Sequence, residues 1–163
     1  MKLTFKILIY FCFVLASCQS ESETKTRGDH IIFSNDPDVI DGKLLQEAFP
    51  DSLPKFQIYV THSAVGMVKA KVINDSSKVI ASSSIIDLLN HKNEISRFKK
   101  SELSFEDYPL LIKGQNSIAI LVADRFQVQI KSLSQSFNDD RIKERFKQFD
   151  LEKLKALSSK NIN

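Results

Sequence analysis

Four acidic residues near the start of the chain have the spacing of a calcium loop. They are Asp36, Asp38, Asp41 and Glu47, and Asp36 and Glu47 fall on the first and last ligand positions of a twelve-residue loop. The pattern breaks between them. Ile40 occupies position five, and Asp41 stands at position six, where the sharp turn requires glycine. A turn followed by a helix cap accounts for the same residues, so these four are calcium candidates without an assigned metal site. His30, His62 and His91 are far apart, and no two stand four residues apart on one helical face. Without cysteine beside them they do not make a zinc pattern.

Nucleophilic chemistry finds equally little. His62 and Ser63 are adjacent, but neighbours in sequence are not a triad, and no Gly-x-Ser-x-Gly elbow exists. Glu106-Asp107 reads as loop solvation and Asp139-Asp140 as helix capping. Asp124-Arg125 reads as corner chemistry with an ion pair. The four glycines, Gly28, Gly42, Gly66 and Gly114, form no phosphate-cradling loop, which argues against nucleotides. No catalytic residue and no cofactor is expected, and whether the chain is an enzyme is left open.

The elements around these residues can be read from periodicity. Residues 19–29 contain no large apolar side chain and are read as a flexible tether, since they cannot repay the entropy of ordering. Order is expected from His30-Ile31-Ile32-Phe33. Lys43–Phe49 reads as a short helix with Leu45 and Phe49 on one face, stopped by Pro50. Phe56, Ile58 and Val60 alternate with polar residues, as do Val68, Ala70 and Val72, the mark of half-buried strands. Asn74-Asp75-Ser76-Ser77 is a turn, and Lys78–Ile86 a third strand, so this pair forms a hairpin. Asp87–Phe98 reads as a possible short helix.

Tyr108–Lys113 reads as a strand with Pro109 at its start or at an edge. Ser117–Ala123 is continuously apolar, which fits a strand covered on both faces. Asp124-Arg125 turns the chain into Phe126, Val128 and Ile130, alternating with Gln127, Gln129 and Lys131. Then the period changes to a helical one. Asn138 suits a cap before Arg141–Phe149, Asp150 caps a second helix at Leu151–Leu157, and fraying is expected from Ser158. Short-looped sequential strands and clustered terminal helices predict an α+β fold. It is a single antiparallel β-sheet of about five or six strands, with one N-terminal and two C-terminal helices packed on one face. Lys69 and Lys71, Ser82 and Ser84, and Gln127 and Gln129 leave one sheet face for water or a partner.

The beginning of the chain carries a different signal. Lys2 and Lys6 precede the apolar stretch Ile7–Ala16, and Leu15-Ala16-Ser17-Cys18 follows without a gap. The stretch is too short to span a bilayer, which takes about 20 apolar residues. This arrangement resembles the signal peptide and lipobox of bacterial lipoproteins, a resemblance confined to residues 1–18. It implies removal of residues 1–17, a diacylglycerol-bearing Cys18 as lipidation site, a tether over 18–29 and a single α+β domain over 30–163. Such cysteines carry two or three acyl chains, enough for permanent attachment. Gln19 stands where Asp favours the inner membrane in enterobacterial lipoproteins, so the outer membrane is expected, on its periplasmic face or at the cell surface. The Ser20–Glu23 run is similar to acidic signals that send some lipoproteins to the surface.

The same resemblance changes the composition. Its 163 residues less the first 17 leave 146, enough for one domain with a real core. Of 23 basic residues, Lys2 and Lys6 leave with the signal, so 21 face 20 acidic ones and the formal charge falls from +3 to +1. With no basic block either, nucleic acid is a poor partner. Cys12 leaves with the signal and Cys18 is acylated, so the finished domain has no thiol chemistry and no disulfide. The expectation is a membrane-anchored envelope lipoprotein, non-catalytic and protein-binding, with an apolar or mixed patch opposite the helices. Alternatives are a carrier of lipid or another apolar ligand, and a hydrolase of envelope polymers.

Overall fold

The computed structural model describes residues 36–50, 56–134 and 139–160, all within one compact unit. The expected lipobox ending at Cys18, Cys12, the expected tether, His30-Ile31-Ile32-Phe33, the exit at Asp51–Pro54 and the expected Asn138 cap lie outside the described residues.

Among the described residues seven strands form one sheet, β1 (Phe56–Ala64), β2 (Met67–Asn74), β3 (Val79–Asp87), β4 (Ser104–Phe105), β5 (Tyr108–Ile112), β6 (Ser117–Val122) and β7 (Phe126–Ser132). Their spatial order is β1-β2-β3-β7-β6-β5-β4, and every neighbouring pair is antiparallel. Seven strands replace the expected five or six because β4, two residues long, is too short to carry an alternation. Among the described residues four helices accompany the sheet, α1 (Gly42–Gln46), α2 (Lys92–Lys99), α3 (Asp139–Phe146) and α4 (Leu151–Lys160).

The sheet's register explains its two faces. Val68, Ala70 and Val72 of β2 are buried while Lys69 and Lys71 between them are exposed. Ile85 of β3 pairs with Val128 of β7, which pairs with Ile120 of β6, and all three are fully buried. This face forms one core with Leu45, Ala48 and Phe49 at α1, Ile142 and Phe146 of α3, and Leu151, Leu154 and Leu157 of α4. Each such large side chain contributes about 1.5–3 kcal/mol on burial. β6 is buried at all six positions, as its unbroken apolar run requires.

Helix ends follow side-chain chemistry. The Asp150 carboxylate accepts from Lys153 N at 2.9 Å and starts α4, which continues to Lys160 rather than fraying at Ser158. Asp41 caps α1 by accepting from Lys43 N. Gly42 is required by close approach: a Cβ there would collide with the carbonyl oxygens of Ala64 and Met67. α2 lies on the opposite sheet face from the main core. Its Glu94 accepts from Lys113, whose ammonium also donates to Gln127 on that face and stands over the Phe98 ring.

Candidate functional site

Two places concentrate polar side chains. The first is the sheet face that α2 leaves open. Antiparallel register aligns Tyr59, Lys71, Ser82 and Lys131 in one row across β1, β2, β3 and β7. The next row is His62, Lys69, Ser84 and Gln129. Tyr59, His62, Lys69, Lys71 and Lys131 are exposed, and the serines and Gln129 are half-buried between them. At a strand spacing of about 4.8 Å, Lys71 and Lys131 stand roughly 10 Å apart at their backbones, and Lys69 about 7 Å from Lys71. None of these lysines forms an ion pair among the described residues, and the two rows contain no carboxylate.

This face is edged by a polar chain. Gln127 donates to Gln129 at 2.9 Å, and Gln129 donates to Ser117 at 2.8 Å. Lys113 and Glu94 extend it to α2. Burial of Glu94 raises its pKa, but the hydrogen bonds from Lys113 and Arg97 outweigh that and hold it below the ordinary value. These bonds fix the orientation of side chains at the margin of the open face.

The second place is one end of the sheet, where the β1–β2 turn, the end of β3 and the β6–β7 turn converge. Arg125 Nε donates to Asp87 Oδ1 at 2.9 Å and Nη2 donates to Asp87 Oδ2 at 2.7 Å. Nη2 also donates to the Asp38 carbonyl. Asp87 accepts further from Ile40 N and Leu89 N. The Asp87 side chain is fully buried, the Arg125 side chain is 8% exposed, and the pair joins the segment before α1 to β3 and the β6–β7 turn. Beside it lies a cavity of about 260 Å³ lined by Asp38, Leu89, Ile95, Ala123, Asp124, Arg125 and Ser158. Ala123 and Asp124 both have φ 53°, the left-handed conformation of a tight hairpin turn.

The residues singled out by sequence are dispersed. Asp36 accepts from Asp38 N and from the Asn90 side chain; these hydrogen bonds lower its pKa. Asp41 caps α1, and Glu47 pairs with Lys153. Asp38 lines the cavity. Each calcium candidate thus has its own setting, and among the described residues no three His, Cys, Asp or Glu side chains are grouped to hold a metal. His62 and Ser63 are successive strand residues and face opposite sides. His91 precedes α2. Glu106-Asp107 forms the β4–β5 turn, where Glu106 has φ 51°, and Asp139-Asp140 opens α3.

Asp124 and Arg125 do form a corner, but they do not pair with each other. Arg125 turns inward to Asp87, and Asp124 pairs outward with Lys99 at 2.9 Å. The inward role of Asp87 had one sequence signal. It continues the inward-facing series Ala81, Ser83, Ile85, so a charge there needs a buried partner.

Neither family models, curated proteins nor solved structures give a match to this chain. Among the described residues, no helix is long and apolar enough to cross a membrane.

Proposed function

We propose that this chain is a lipid-anchored lipoprotein of the bacterial envelope, attached through Cys18, whose domain catalyses no reaction and holds an acidic partner protein. The supporting sequence feature is the lipobox Leu15-Ala16-Ser17-Cys18 behind a basic head and a short apolar stretch. The observation that carries the binding role is the open face of β1, β2, β3 and β7. Three exposed lysines are held there at fixed spacing beside Tyr59, with no carboxylate between them. Such a surface steers acidic partners and fixes their register. The outer membrane is the proposed location, following Gln19.

A carrier of apolar cargo is the weaker reading. The apolar hole between sheet and helices, lined by Ile58, Val72, Ile130 and Phe149 among others, measures about 10 Å³. That is on the order of one water molecule, where small ligands occupy several hundred Å³.

Labelled palmitate tests the anchor: the native chain takes up label, and a Cys18→Ala chain that still does so refutes the assignment. Affinity isolation of the tagged chain from solubilised envelopes tests the partner. An acidic protein recovered with the native chain and lost with Lys71→Glu/Lys131→Glu is expected. Recovery of no protein above background contradicts the binding role.

A further inference from the structure

The Asp87–Arg125 corner contains donor capacity that the fold does not use. Arg125 has five N–H groups. Nε and Nη2 are committed to Asp87 and the Asp38 carbonyl, and Nη1 donates to nothing among the described residues. The side chain is more than nine-tenths buried and lines the 260 Å³ cavity. No buried side-chain nitrogen or oxygen sealed from solvent is without a partner among the described residues, so the vacant Nη1 reaches solvent-accessible space.

We propose that this cavity binds a neutral polyhydroxylated ligand, one sugar ring, through Arg125, Asp124 and Ser158. Charge decides among ligand classes. The guanidinium is already matched by the buried Asp87 carboxylate, and Asp124 in the same lining is matched by Lys99, so an anion gains little there. A cation meets Arg125 in the lining and Lys99 beside Asp124. Neighbouring hydroxyls suit both kinds of group, accepting from Nη1 and donating to the Asp124 carboxylate, while the Ser158 hydroxyl does either. Hydrogen bonds to charged groups are the stronger ones in such a site. Leu89, Ile95 and Ala123 give the cavity apolar wall for the C–H surface of a ring. The volume lies just under the usual range of about 300–1,000 Å³ for ligand pockets, which limits the ligand to about one ring.

The backbone is consistent with a built site. Ala123 and Asp124 both hold the left-handed conformation that glycine and asparagine adopt more readily. This strained turn delivers Arg125 to the interior and leaves Asp124 at the rim, and strain of this kind clusters at ligand-holding segments.

The test is an NMR titration of the isotope-labelled full chain with methyl glucoside, methyl galactoside and N-acetylglucosamine at millimolar concentration. Expected are shifts of the Arg125 Nε signal and of the Ala123, Asp124 and Leu89 amides, with binding at least tenfold weaker in both Asp124→Asn and Ser158→Ala. Both substitutions leave the Asp87–Arg125 pair intact, and unchanged amide signals in β2 and β7 confirm folding. Tighter binding of an oligosaccharide than of its monosaccharide assigns a glycan chain as the ligand, and equal binding assigns a free sugar. The proposal is overturned by no shift at the corner with any of the three sugars, or by undiminished binding in both variants. A response to sodium acetate or methylamine without a response to sugars overturns it as well.

Discussion

Asp87 and Arg125 form a two-pronged buried ion pair, with both carboxylate oxygens engaged by one guanidinium at 2.9 and 2.7 Å. They close one end of the sheet. Gly66 N donates to the Ile40 carbonyl, Asp87 N donates to the Gly66 carbonyl, and Leu88 N donates to the Arg125 carbonyl, so two hairpin turns, the end of β3 and the segment before α1 meet there. Removing one partner leaves a buried charge without its counter-ion, which costs about 3–5 kcal/mol. Asp87→Asn is therefore expected to lower the unfolding free energy by that amount in urea denaturation. The double change Asp87→Leu/Arg125→Met is expected to cost less than the sum of the single changes, because it removes both charges.

The β6–β7 turn predicts an opposite effect. Ala123 at φ 53° carries a Cβ that is disfavoured in that conformation by about 1–2 kcal/mol. Ala123→Gly is expected to raise stability by up to roughly 1 kcal/mol, the remainder being offset by glycine's freedom in the unfolded chain. A shift of the urea midpoint upward checks this.

Gly42 gives the reverse case. Its neighbours across the gap are the Ala64 and Met67 carbonyls, backbone atoms that cannot rotate away. Gly42→Ala is expected to cost about 1–3 kcal/mol through overpacking, in spite of alanine's better helix propensity. Thermal unfolding followed by circular dichroism reads it as a lowered Tm.

Glu94 links stability to pH. Burial pushes its pKa up, and the Lys113 and Arg97 hydrogen bonds more than reverse this, so the folded value lies below the ordinary 4.5. Protons therefore bind more readily to the unfolded chain in this window. The contribution is fully present above the unfolded value and is lost as pH falls through the folded one. Between about pH 6 and pH 3 the urea midpoint is expected to fall more steeply for the native chain than for Glu94→Gln.

Much of this fold was legible because burial writes a period into the chain. The β2 alternation of Val68, Ala70 and Val72 with lysines, the unbroken β6 run and the Asp150 cap all correspond to what their residues do in the structure. β4 was not legible, since two residues carry no period. The helix α2 was blurred by Asn90-His91-Lys92-Asn93, and its anchor is the single buried side chain Phe98. The cavity corner was the least visible. Asp87 and Arg125 lie 38 positions apart, and no local pattern specifies which charges a sheet end brings together. The alignment of Lys71 with Lys131 required the β3–β7 pairing, which joins strands separated by three others in sequence.

The open basic face is tested most directly by a photoreactive amino acid placed at Ser82, between Lys71 and Lys131, in living cells. The expected result is one adduct to an acidic protein, lost when Lys69→Glu and Lys71→Glu are added, with the urea midpoint unchanged within about 0.5 kcal/mol of stability. An adduct that survives the charge reversal, or labelling no greater than from the same probe at exposed Glu152 of α4, contradicts the assignment of this face.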